Sequence, residues 1–132
     1  MSSIGQIEKL YQAHKDKAHI YLIYIREAHP LGGSRRPPER FRIPDPKTLA
    51  ERQKVAEDFA TEVKVTVPIL VDTIDDQVEQ AYAGWPDRIY VIGKDGKIVF
   101  KGDPGPRGFQ PSLKEAAAVL AKLAADSSTA KP

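Results

Sequence analysis

Apolar positions at Ile4, Ile7, Leu10 and Tyr11, with His14 a turn further on, recur at helical spacing. The pattern predicts an amphipathic helix over residues 4–16, with Ser2 or Ser3 available to cap it. From His19 to Ile25 it changes to a β-branched and aromatic run without strict alternation, which suits a strand buried on both faces. Residues 30–47 hold five prolines and two glycines, which predicts a long irregular loop. Thr48 and Glu51 form a capping box, and Leu49, Gln53, Ala56, Phe59, Ala60 and Val63 continue a second helical stripe. The stretch "VTVPILVD" is a short apolar strand ending at Asp72. Asp75 or Asp76 is placed to cap a brief helix through Val78, Ala81 and Tyr82. In "DRIYVIGKDGKIVFKG" two strands flank a turn at Asp95 and Gly96, a strong hairpin signal. Ser112 and Glu115 make a second capping box, opening a helix with Leu113, Ala117, Leu120 and Leu123 on one face. Residues 126–132 form a polar tail.

Alternating β and α elements followed by a hairpin predict a three-layer α/β domain with a mixed sheet. At 132 residues the chain suits one domain, assigned to residues 1–125. Its 41% hydrophobic and 29% charged content is ordinary for a soluble protein. A net charge of +2 is too mild to imply nucleic acid. No apolar run approaches the ~18 residues that span a bilayer, so no membrane segment is expected in this chain and a cytoplasmic location is, with an upstream anchor left open. There is no cysteine, and therefore neither a disulfide nor a thiol nucleophile. Gly102, Gly105 and Gly108 fall every third residue, but three triplets suit a proline-glycine loop rather than a collagen repeat.

The candidate chemistry begins where the first strand ends. Residues i and i+2 of a strand share a side, so Glu27 and His29 fall together just past its carboxyl end, the edge where α/β sheets usually bind ligands. A carboxylate beside an imidazole fixes its tautomer and raises its pKa, giving a proton donor near neutral pH. Such pairs also end strands on ordinary surfaces, and spacing alone favours that simpler explanation. Trp85-Pro86 precedes the strand "DRIYVI"; a cis bond there would expose backbone polar groups, although trans is the commoner state. His14 and His19 suit a core edge and a strand start better than metal ligation, so no metal is expected. Arg35, Arg36, Arg40 and Arg42 offer an anion site or a solvated basic loop, and interleaved prolines favour the latter. Glycine-rich phosphate loops and a Gly-x-Ser-x-Gly elbow are absent.

Two stretches carry a resemblance. "LIYIREAHP" and "VPILVDTIDDQVEQAYAGWPDRIYVIGKDGKIVFKGDPGPRGFQP" resemble the iodothyronine deiodinase family of the thioredoxin superfamily. The match rests on Tyr24, Glu27, Ala28, His29 and Pro30, then on Pro68, Val71, Asp72, Thr73, Ala81, Tyr82, Pro86, Arg88 and Tyr90, and on the closing glycine-proline loop. It implies a thioredoxin-like fold with Pro86 as the cis-proline. It implies catalytic roles for Glu27 and His29, and substrate binding by Tyr24, Trp85, Pro86 and Arg88. The family removes iodine from iodothyronines by attack of a selenolate or, in relatives, a thiolate, which needs an ionised nucleophile and a proton source. No bound cofactor is implied; a thiol reductant serves as co-substrate.

The chain departs from the pattern in places. The family's nucleophile lies on a strand preceding the first helix, where this chain starts, so that active-site strand is expected to be missing from it. A further family histidine is replaced around Pro46, and Leu31-Gly-Gly-Ser34 stands for the usual Ser-Asp-Gly-Trp. The missing strand would lie between the strands at 19–25 and 88–92, leaving open edges for which a homodimer is one remedy. Three readings follow: a deiodinase-like oxidoreductase whose nucleophile lies outside this chain; a thioredoxin-like thiol reductase or peroxidase; and a redox-inactive thioredoxin-fold binding module. The substrate class is a small aromatic or other redox substrate.

Overall fold

The computed structural model describes residues 3–26 and 46–129. In chain order these form α1 (Ser3–His14), β1 (Leu22–Tyr24), α2 (Leu49–Val63), β2 (Ile69–Val71), α3 (Gln77–Tyr82), β3 (Tyr90–Ile92), β4 (Ile98–Lys101) and α4 (Phe109–Thr129). The architecture is mixed α/β. Its contacts fall into two compact units, residues 21–86 and residues 1–20 with 87–132.

In the unit of residues 21–86, β1 and β2 pair in parallel, with Leu22, Ile23 and Tyr24 opposite Ile69, Leu70 and Val71. The ladder is extended by Leu22 N–H donating to the Pro68 carbonyl at 3.0 Å and Asp72 N–H donating to the Tyr24 carbonyl at 2.9 Å. The first strand is thus shorter than the expected 19–25, and it is not buried on both faces. Leu22 and Tyr24 are half-buried while Ile23 is 42% exposed. α2 lies against β2, while Ile23 and Leu70, side by side in the ribbon, are both exposed. α2 begins where the capping box predicts. Thr48 Oγ1 accepts from Glu51 N–H at 3.2 Å, and Glu51 Oε2 accepts from Lys47 N–H at 2.7 Å. The helix stops at Lys64, which takes left-handed dihedrals and donates its N–H to the Ala60 carbonyl.

In the other unit, β3 and β4 pair antiparallel, with an irregularity between Val91 and Ile92. Gly93 N–H closes the hairpin onto the Lys97 carbonyl at 2.8 Å, and Gly96 adopts φ +83°, the conformation for which glycine is needed in this turn. α4 packs against α1 and β3, burying Phe109, Leu113, Ala116 and Ala124, with Ile7 buried from α1.

Three further expectations change here. The four strands make two separate ribbons, and no ladder joins them into one mixed sheet among the described residues. Among the described residues each strand pairs on one side only. The second capping box does not operate: α4 starts at Phe109, and Ser112 lies inside its first turn. The Ser112 hydroxyl is 4% exposed with its residue and accepts instead from Asp103 N–H at 2.8 Å, pinning the loop before the helix. Pro111 is tolerated there because first-turn N–H groups have no helical partner. α4 runs to Thr129, into the stretch 126–132 expected as tail.

Candidate functional site

The polar groups that organise residues 21–86 converge on the turn after β2. Asp72, 1% exposed, accepts three backbone N–H groups: Thr73 and Val78 at Oδ1 (2.8 and 2.9 Å) and Glu79 at Oδ2 (2.9 Å). It therefore caps α3 from four residues upstream of the helix's flanking residue, Asp76, whose own side chain makes no cap bond. The sequence pattern pointed to Asp75 or Asp76 for this task. The reason is geometric: Asp76 has left-handed dihedrals, φ 61° and ψ 38°, unlike the extended backbone of a capping side chain.

Arg52, 2% exposed, reaches the same turn from α2. Its Nη1 donates to the Thr73 carbonyl at 2.6 Å and the Asp72 carbonyl at 3.4 Å, and its Nη2 pairs with Asp76 Oδ1 at 3.0 Å. Its Nε is buried without a partner among the described residues. α3, placed by these bonds, carries Glu79 toward the end of β1. There Glu79 Oε2 accepts from Arg26 Nε at 3.0 Å, and the Arg26 guanidinium lies over the Trp85 ring, 4.7 Å from its centroid. Trp85 is turned back by the end of the same helix: Gly84 N–H donates to the Glu79 carbonyl at 2.9 Å. Glu79 thus holds Trp85 through main chain on one side and through Arg26 on the other.

Each sequence-derived candidate has a definite place or lies outside the description. Glu27, His29 and Arg35, Arg36, Arg40 and Arg42 lie outside the described residues. Tyr24 is half-buried, its ring 5.9 Å from that of Phe59 and tilted by 60°. Trp85 is 40% exposed, and the Trp85–Pro86 peptide is cis. Arg88 belongs to the other unit, where its Nε donates to the Gly102 carbonyl at 2.7 Å and its guanidinium lies 5.8 Å from the Tyr90 ring. Its neighbour Asp87 has its carboxyl pushed above the usual range by burial, countered by the Gly105 backbone N–H. His14 ends α1 half-buried and His19 is exposed. Among the described residues no group of three histidine, aspartate or glutamate side chains converges as a metal site, and no helix is long and apolar enough to cross a membrane.

Sequence reasoning did not find Arg26, Arg52 and Glu79. Arg52 had a signal: it falls three residues after Leu49 and four before Ala56, on the apolar stripe of α2. A charge at such a position is buried only if paired.

A model of the iodothyronine deiodinase family matches residues 1–124. The chain belongs to this family. It is 31% identical over 112 residues to a thyroxine 5-deiodinase of Gallus gallus, covering 85% of this chain and 43% of that one. Against the type I iodothyronine deiodinase of Xenopus laevis the identity is 30% over 119 residues, covering 90% and 45%. A thyroxine 5-deiodinase of Sparus aurata is 28% identical over 112 residues, covering 85% and 41%. The chain thus spans less than half the length of these relatives.

Proposed function

We propose that the protein is a deiodinase-like oxidoreductase that removes iodine from iodothyronine-like aromatic substrates. The observation that carries this reading is the family match over residues 1–124, nearly the whole chain. In it, a selenolate or thiolate outside this chain attacks the iodine. A bond from selenium or sulfur to iodine forms, the carbon–iodine bond breaks, and the ring carbon takes a proton. His29 supplies that proton, with Glu27 orienting its ring. Two equivalents of a thiol reductant then return the nucleophile, leaving iodide and a disulfide. Tyr24, Trp85, Pro86 and Arg88 serve substrate binding in this reading. A thioredoxin-like fold accompanies it: β1 and β3 each pair on one side only among the described residues, and the strand bearing the nucleophile would add to such an edge. A homodimer is a second way to cover those edges.

One observation favours a second reading. The 132 residues contain no cysteine, which favours a redox-inactive thioredoxin-fold binding module. The intact mass of the protein from its native source, with selenium's isotope pattern checked, separates the two. A mass above 14.6 kDa with selenium or cysteine in the added segment, together with thiol-dependent iodide release that His29→Asn abolishes, is the expected result. A mass of 14.6 kDa without iodide release would overturn it and leave the binding module.

A further inference from the structure

Arg26 is held in an unusual way for a half-exposed arginine. Its Nε is bonded to a carboxylate whose side chain is only 10% exposed, and one face of its guanidinium covers an indole, while the side chain itself remains 46% exposed. Guanidinium carries five N–H donors in a rigid fork. Among the described residues only the Nε donor is engaged, and the side chain stays half-exposed, so Glu79 holds an oriented Nη edge for a ligand. Glu79 does two things to this fork. It fixes the plane, removing the rotamer entropy that a free arginine would lose on binding. It also cancels the positive charge at long range, so a small inorganic anion gains little by approaching. A ligand that binds well here must bring more than charge, and the surface beside the fork is the 40%-exposed ring of Trp85.

From this geometry we propose that Arg26 and Trp85 form a binding platform for a planar aromatic anion, whose ring lies against the indole and whose oxygen accepts from the Arg26 Nη edge. The proposal deepens the deiodinase-like reading, on which it rests for the identity of the ring: an iodinated phenolate or carboxylate fits both demands. Glu79 is the positioning residue that aims the fork.

Trp85 is the sole tryptophan, so the intrinsic fluorescence of the full 132-residue chain reports this site directly. The probe is 3,5-diiodo-4-hydroxybenzoate, whose iodine quenches an adjacent indole. Saturable quenching is expected, with affinity at least about tenfold weaker in Arg26→Gln, which removes a hydrogen bond to a charged group. Arg26→Lys, which keeps the charge but lacks the fork, should fall between the two. The neutral 3,5-diiodo-4-methoxybenzamide should bind the unaltered chain at least tenfold more weakly. Quenching that rises linearly, as with free iodide, would overturn the platform. So would equal affinity in Arg26→Gln, or equal affinity for the neutral analogue, a result that needs no variant to fold. Competition by 4-hydroxybenzoate separates this proposal from the reading beneath it. If the iodine-free anion displaces the probe at equal concentration, the platform stands and the iodinated substrate loses its support. If iodide release by the native protein survives Arg26→Gln with unchanged KM, the platform falls and the deiodinase-like reading stands.

Discussion

The two units of this protein bury different things. In residues 1–20 with 87–132, the buried side chains among the described residues are Ile7, Phe109, Leu113, Ala116 and Ala124, joined by the small hydroxyl of Ser112. In residues 21–86 the buried set includes Arg52, Asp72 and Glu79 beside the small apolar Ala56 and Val67. Burial of apolar surface is non-directional, so the first unit needs only the right faces turned inward. Buried charge is costly unless each lone pair and proton finds a partner, so the second unit depends on particular bonds at particular angles. A unit built this way is less forgiving, but it fixes where its side chains point. The exposed Arg26–Trp85 pair is one product of that constraint.

The contrast can be broken most severely at Arg52. Arg52→Met keeps much of the volume but takes the cation from the Asp76 carboxylate and leaves the Thr73 carbonyl only its bond from the Asp76 N–H. A loss of about 3–5 kcal/mol in unfolding free energy is expected, read as a lower urea midpoint at unchanged slope. Next comes Asp72→Ala, which strips three backbone N–H groups of their acceptor. A loss of about 2–3 kcal/mol is expected, with faster hydrogen exchange at the amides of Val78 and Glu79. The matching change in the apolar unit is Leu113→Met. Methionine replaces leucine there at similar volume, so the cost should stay under about 1.5 kcal/mol by the same measurement. If Leu113→Met cost as much as Arg52→Met, the distinction between the two units would be void.

The smallest expected effect lies at Asp87. Its folded carboxyl titrates above the usual range because burial disfavours the charge. The folded state therefore holds that proton more tightly than the unfolded chain. Stability should fall slightly as pH rises from below the ordinary carboxylate range through the raised folded value, and level off above it. Asp87→Asn should flatten this step, seen as a smaller difference in thermal midpoint across the acid range.

Much of the fold was legible because it follows from periodicity and local chemistry. The span of α2, its Thr48 cap and the turn at Gly96 all appear where their residues predict, whereas Leu49 and Gln53 of its expected stripe are exposed and Arg52 is buried. What stayed hidden depended on bonds between distant residues. Asp72 looked like the end of a strand, since nothing in its neighbourhood says that its carboxylate reaches Glu79. Ser112 looked like a cap because the motif is local, whereas its true partner, Asp103, is set by how the loop folds back. Burial of the first strand on both faces was inferred from its composition alone. Strand burial depends on how many neighbours the ladder has, which composition does not encode. At the candidate site, Trp85 was legible through the motif that contains it. Arg26 was not, because its role is defined by Glu79, 53 residues away.

The loop after β4 ties the fate of one position to that of another. A side-chain carbon at Gly105 would overlap the Asp87 carboxylate oxygen, while the Gly105 N–H already donates to the Asp87 carbonyl at 2.8 Å. Alanine at 105 thus displaces the Asp87 carboxyl, the free end of a side chain that can turn away. Once Asp87 is alanine, the space opens and the main-chain bond survives. The two positions are therefore coupled: Gly105→Ala should cost more stability in the unaltered chain than in Asp87→Ala.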